Sequence, residues 1–408
     1  MKDNKIPSPL VSLLPVFVLI LLLFVTIRTF GSDALSGGSQ VCLLVATAVC
    51  VLTGMAGFHR PWKDFELAIT NNIAGVSTAL IILLIIGALS GAWMVSGVVP
   101  TLIYYGIQVI HPHFFLVSTC IICAVVSVMT GSSWTTIATI GIALMGIGKA
   151  QGFSEGWIAG AIISGAYFGD KVSPLSDTTI LASSVTDTPL FTHIRYLMIT
   201  TVPSLVITLI IFTIAGLSHE ATDTGHIAEY TRILSDKFHI SWWLMIVPVV
   251  TAILIARKVP SIITLFVSTA LATVFALIFQ PGLLCEIAGQ GAEGIAALFK
   301  GGMGMLYGGT QLETGNAEIN ELISTRGMAG MMNTIWLIIC AMCFGGAMTA
   351  SGMLGSITSV FVRFMKNTVS VVASTVGSGI FLNLATADQY ISIILTGNMF
   401  SNIYEKKG

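Results

Sequence analysis

Charged positions are so sparse along this chain that the gaps between them draw its map. After Glu66 no Asp, Glu, Lys or Arg occurs until Lys149. A crossing takes about 20 mostly apolar residues, so this gap holds three crossings, or two plus a re-entrant hairpin. His111-Pro112-His113 interrupts it and predicts a loop. Leu10–Ile27 and Val41–Phe58 are apolar runs on its N-terminal side. Tyr196–His219, Phe238–Ala256, Val259–Cys285, Gly327–Val362 and Asn367–Ala387 are charge-free stretches on its C-terminal side. The pattern predicts an all-α polytopic membrane protein of roughly ten spans, some discontinuous.

The same map divides the chain. Residues 1–70 carry the N-terminal helices and 71–217 a first repeat. Residues 218–240 read as a polar connector without apolar periodicity. Residues 241–326 open the second half, and 327–408 form a second repeat. The repeat rests on two correspondences at an offset of about 255 residues. Gly91-Ala92-Trp93-Met94-Val95-Ser96-Gly97 resembles Gly346-Ala347-Met348-Thr349-Ala350-Ser351-Gly352. The polar island Thr130–Thr136 falls near Asn383–Gln389. Such repeats, with sites on broken helices, are the usual plan of secondary transporters. At this offset Gly169–Thr179 finds its partner beyond Gly408, so the second repeat is expected to be C-terminally incomplete.

Composition agrees with this pattern. The chain is 55% hydrophobic and 9% charged, with a mean hydropathy of +0.92. Soluble domains carry about 25% charged residues. A net charge of −1 gives no electrostatic footprint for nucleic acid. The seven cysteines lie mostly in apolar runs, and the CxxC spacings of Cys120/Cys123 and Cys340/Cys343 have no histidine beside them, so no metal or redox centre is expected. The Leu10–Ile27 run is long for a signal-peptide core and lacks a clear cleavage site, so it reads as a retained first helix. Lys2 and Lys5 before the first run and Arg60 and Lys63 after the second lie on one side, which the positive-inside rule makes cytoplasmic.

Against this apolar background one polar stretch stands out: Gly169-Asp170-Lys171-Val172-Ser173-Pro174-Leu175-Ser176-Asp177-Thr178-Thr179. Asp170 and Asp177 are seven apart and would share a face of an unbroken helix, but Pro174 lies between them and disfavours helix at Ser173. A break at membrane depth survives only inside protein or along a cavity. There Ser173, Ser176, Thr178 and Thr179 offer neutral oxygens beside the carboxylates, a set suited to Na⁺, and a carboxylate takes a proton in its place. The same residue types also make ordinary helix N-caps. Lys171 either pairs with an aspartate or snorkels to the interface, the second being favoured. Ser132, Ser133, Thr135 and Thr136, behind Gly131, predict the tip of a re-entrant hairpin, with helix packing as the plainer alternative. Asn383, Thr386 and Asp388 are its counterpart. Gly301–Gly304 and Gly308–Gln311 fit no phosphate loop.

These strings resemble the NhaC family of bacterial sodium/proton antiporters. The resemblance is carried by Gly131–Thr136, Gly165–Thr179, Gly87–Tyr105 and Asp388-Gln389-Tyr390. It implies two inverted repeats, re-entrant hairpins and a mobile transport domain in the bacterial inner membrane. It implies Na⁺/H⁺ antiport driven by the proton gradient, with Na⁺ at Asp170 and Asp177, no cofactor beyond the transported ions, and a homodimer as an open expectation. Family members usually continue with an SGxxxSPLIPW-like segment that this sequence does not contain. The family is not uniform in substrate, which keeps open an H⁺- or Na⁺-coupled exchanger or symporter of a small organic acid or amino acid. The candidate islands hold no arginine, which favours the cation. An intramembrane hydrolase would need a base beside its nucleophile and no broken repeat, so no enzyme is expected.

Overall fold

A computed structural model describes residues 7–386 except 219–223, 258, 290–293 and 364–366, together with 389, 392–393, 395–397, 399–400 and 404. All of the regular elements described are helical, with one isolated bridge between Thr310 and Thr325. Among the described residues seven helices are long and apolar enough to cross a membrane: Pro9–Phe30, Gly38–Phe58, Ser77–Val95, Pro112–Thr130, Leu190–Leu217, Ser261–Phe279 and Gly327–Ala350. The pair Thr231–Lys237 and Trp242–Ala256, bent by 92°, raises this to eight. The remaining apolar sequence is cut into shorter helices, which is where the count of roughly ten spans came from. Backbone amides that cannot reach water in lipid force every such segment into helix. Prolines stand at several helix starts, Pro9 and Pro281 among them, where the missing N–H costs nothing.

The connector differs from its sequence reading. Thr224–Lys237 is a helix, and Leu234 and Phe238 beyond it are buried in the core. Ile227, Tyr230, Leu234 and Phe238 do recur at helical spacing. The high polarity between them masked the stripe.

The chain forms two compact units. One comprises Met1–Leu80, Leu181–Thr188 and Met332–Gly408. Its core includes Ala46, Cys50, Phe65, Phe344, Met348 and Leu354. The other comprises Ile81–Ile180 and Pro189–Met331, around Trp93, Phe115, Leu144, Ile158, Leu265 and Met305. The first unit thus holds most of residues 327–408, and the second most of residues 71–217.

Candidate functional site

All the polar islands of the first repeat fall in the second of these units. Helix Phe115–Thr130 ends at Gly131, and a new helix starts at Ser133–Thr136. It continues through a π-turn at Ile137–Gly141 into Ile142–Ala150. Helix Glu155–Val172 then runs back, ending before Ser173-Pro174-Leu175-Ser176, and Asp177–Val185 restarts the helix. The break predicted at Pro174 is present.

Small residues draw these elements together. A methyl group at Gly169 would lie 2.5 Å from the Ala124 carbonyl oxygen, and one at Gly165 would overlap the Cys120 carbonyl. Helix Glu155–Val172 can therefore lie directly on Phe115–Thr130, as small-residue faces permit. Ser127 Oγ donates to the Ala166 carbonyl at 2.5 Å and Ser173 Oγ to the Val128 carbonyl at 2.8 Å, fastening the two helices. The Gly131 turn rests on the backbone of Leu175, so the tip and the break touch.

At this junction Asp170 is 8% exposed. Its Oδ2 accepts a hydrogen bond from Ser133 Oγ at 2.9 Å. The hydroxyls around it are held by backbone. Ser132 Oγ caps the new helix, accepting from the Thr135 N–H at 3.3 Å and from Thr135 Oγ1 at 3.2 Å. Thr136 Oγ1 donates to the Ser132 carbonyl at 3.0 Å. Across the break, Ser173 Oγ accepts from the Leu175 N–H, and Ser176 Oγ accepts from the Thr179 N–H. Ser176 Oγ and Thr178 Oγ1 lie 3.0 Å apart. Thr179 Oγ1 donates to the Lys171 carbonyl at 3.1 Å. Ser176 thus makes the cap that the plainer reading foresaw, and Ser132 makes one where that reading expected helix packing. Lys171 is exposed.

Of the predicted set, Ser132, Ser133, Thr135 and Thr136 are brought to Asp170, Ser173, Ser176, Thr178 and Thr179. Asp177 opens the Asp177–Val185 helix, and its side chain lies outside the described residues. Asn383 is exposed near the end of Thr368–Thr386. The side chain of Thr386 and the whole of Asp388 lie outside the described residues.

The structure adds residues that sequence reading passed over. A cavity of about 240 Å³ lies beside the tip, walled by Thr130, Thr135 and Leu175 and, opposite, by Val259, Ser261 and Thr264. Ser261 and Thr264 stand at the start of the long apolar helix Ser261–Phe279, and nothing near them in sequence marks them out. Thr130 Oγ1 accepts from the Ser132 N–H at 3.1 Å, fixing the turn. Near the other end of Ile142–Ala150, Lys149 Nζ lies 2.7 Å from Glu155 and 3.8 Å from Glu321. The ammonium holds the Glu155 carboxyl below its usual range.

Residues 165–408 match the Na⁺/H⁺ antiporter family. The chain is 36% identical over 370 residues to the Na⁺/H⁺ antiporter NhaC of Alkalihalophilus pseudofirmus, covering 90% of this chain and 75% of that protein. It is 34% identical over 410 residues to the malate-2H⁺/Na⁺-lactate antiporter of Bacillus subtilis, covering 100% and 83%. It is 32% identical over 407 residues to the arginine/ornithine antiporter ArcD of Halobacterium salinarum, covering 99% and 80%.

Proposed function

The chain belongs to the Na⁺/H⁺ antiporter family, and on that premise we propose that Asp170 is the group on which Na⁺ and H⁺ compete. The protein is a multi-pass membrane transporter that exchanges Na⁺ for H⁺. The observation that carries the assignment is a buried carboxylate facing Ser133 Oγ beside an unwound segment. A buried carboxylate is costly in a low-dielectric interior to the extent that its charge is not compensated. Bound Na⁺ or bound H⁺ removes that cost, and one carboxylate cannot hold both. The empty, charged form is therefore the least stable on the cycle, and that ties the two fluxes together.

The neighbourhood suits this role. Unwound backbone at Ser173–Ser176 offers carbonyl oxygens to a hard cation. Ser133 donates to the carboxylate when it is bare and turns a lone pair toward Na⁺ when it is filled. Asp177, seven residues on, is assigned as the second carboxylate, with Asn383, Thr386 and Asp388 as the corresponding groups of the second repeat. The proton gradient drives Na⁺ out, the N-terminus is cytoplasmic, and the working unit is a homodimer.

The test is Na⁺-dependent dissipation of a proton gradient in inside-out vesicles. Asp170→Asn is expected to lose exchange at least tenfold, and Asp170→Glu to keep it with an altered KM for Na⁺. Wild-type exchange by Asp170→Asn overturns the assignment.

The relative that exchanges malate and lactate, matched along the whole chain, favours a second reading in which a small organic acid accompanies the ions. Counterflow of labelled malate, lactate or basic amino acids from proteoliposomes separates the two. Solute-independent Na⁺/H⁺ exchange supports the first reading, and exchange that requires the solute supports the second.

A further inference from the structure

Helices Ser133–Ala150 and Glu155–Val172 are antiparallel arms of one hairpin. Ser133, Ile137, Gly141 and Lys149 lie on one row of the first arm, and Glu155, Ala159, Ile162, Ala166 and Asp170 on one row of the second, at the spacings that share a helical face. The rows meet. Ser133 bonds Asp170 at one end and Lys149 pairs with Glu155 at the other. Between these contacts, a methyl group at Gly141 would lie 3.1 Å from Ile162. A chamber of about 400 Å³ occupies the outer part of this seam. Its mouth is Lys149, Glu155 and Glu321, and its walls reach inward past Ala159 and Ile162 to Gly141 and Ile137. Ile137 is one turn from Ser133, and Ala166 is one turn from Asp170. The wall at that inner end is the π-turn, a wide turn that recurs at functional sites.

We propose that this chamber is one of the two aqueous access paths to Asp170 and that the Lys149–Glu155–Glu321 mouth sets how readily Na⁺ enters it. This rests on the Asp170 reading. The mouth carries one ammonium and two carboxylates, a net negative charge that concentrates cations, while the less exposed Lys149 opposes them. Its side chain is 24% exposed, against 67% for Glu155 and 76% for Glu321. The three charges require water, so the outer chamber is wet. Between the chamber and Asp170 remains about one turn, 5.4 Å of apolar wall at Ile137 and Ala166. Rearrangement of the π-turn is the motion that opens it.

The test uses the full chain in proteoliposomes at low ionic strength, with Na⁺ as the probe. Lys149→Gln is expected to lower the KM for Na⁺ by about two- to fivefold, and the pair Glu155→Gln/Glu321→Gln to raise it by a similar factor, with kcat unchanged. Both shifts should collapse when choline chloride at about 0.3 M screens the mouth. Shifts in the same direction, no shifts, or shifts that persist in salt overturn the proposal. Ala159→Trp, which fills the chamber, should cut exchange at least tenfold while the protein still elutes as a single species in detergent. Wild-type exchange by well-folded Ala159→Trp also overturns it. Asp170→Asn separates the two claims. If it exchanges normally while the mouth variants shift as stated, the chamber stands and the Asp170 assignment fails.

Discussion

Two turns in this protein are nearly the same object in different company. Ser96–Gly97 joins helices Ser77–Val95 and Val98–Val109, and Ser351–Gly352 joins Gly327–Ala350 and Met353–Arg363. In the first, Ser96 Oγ donates to the Trp93 carbonyl at 3.3 Å and accepts from the Val98 N–H at 3.5 Å. In the second, Ser351 Oγ donates to the Met348 carbonyl at 3.0 Å and accepts from the Met353 N–H at 3.3 Å. The glycines have φ of 85° and 76°. What covers the turns differs. Gly97 lies under the buried amide of Gln280, which donates to the carbonyls of Ser96 and His239 and accepts from the His239 N–H. Gly352 faces the Arg60 guanidinium and Pro7 at ordinary contact distance. Four local residues are enough to write the turn twice, and the surrounding unit decides what it is pressed against.

The largest effect should come from adding a methyl group to each glycine. The left-handed conformation costs a non-glycine residue about 1–2 kcal/mol in either turn. At Gly97 the new Cβ would also lie 2.6 Å from Gln280 Nε2 and 3.1 Å from Leu244. Overpacking of that kind brings the total to roughly 2–4 kcal/mol. At Gly352 the nearest atom would be 3.5 Å away, so strain alone remains. Thermal unfolding in detergent, followed by tryptophan fluorescence, should show Gly97→Ala melting well below Gly352→Ala. Equal losses would mean that the covering side chains play no part.

A smaller contrast isolates the cover itself. Gln280→Ala strips partners from two carbonyls and an N–H at a site where Gln280 is only 4% exposed. Leaving such groups unmatched costs about 1–3 kcal/mol. Arg60→Ala removes a partly exposed group, and the loss expected is below about 1 kcal/mol. A larger loss for Arg60→Ala in the same melting experiment would reverse the assignment of which turn is more tightly held.

How far the sequence was readable follows from the same distinction. The Ser-Gly turns, the break at Pro174 and the polar tip at Gly131–Thr136 were legible because each is set by residues adjacent in sequence. Ser133 and Asp170 were legible as members of two separate polar islands, and their meeting at 2.9 Å was not. Its cause, Gly165 and Gly169 lying against the Cys120 and Ala124 carbonyls, depends on register between helices, which composition does not encode. The helix at Thr224–Lys237 was legible in its spacing and missed through its polarity. Ser261 and Thr264 became visible only as the far wall of a cavity.

The smallest expected effect probes what the two turns share. Ser96 and Ser351 are both fully buried, and each hydroxyl serves one carbonyl and one N–H of its own turn. Replacing either by alanine removes a net contribution of about 1 kcal/mol per hydrogen-bonding group. The turns should therefore lose stability nearly equally, in contrast with the glycine variants. A residual difference of a few tenths of a kcal/mol should favour a greater loss at Ser351, because the Cys50 thiol also lies 3.5 Å from its hydroxyl and a thiol contact is a weak one. If Ser96→Ala instead costs several times as much as Ser351→Ala, Gln280 depends on that serine for its own placement. The turn and its cover would then form one cooperative structure in the first repeat and two separate ones in the second.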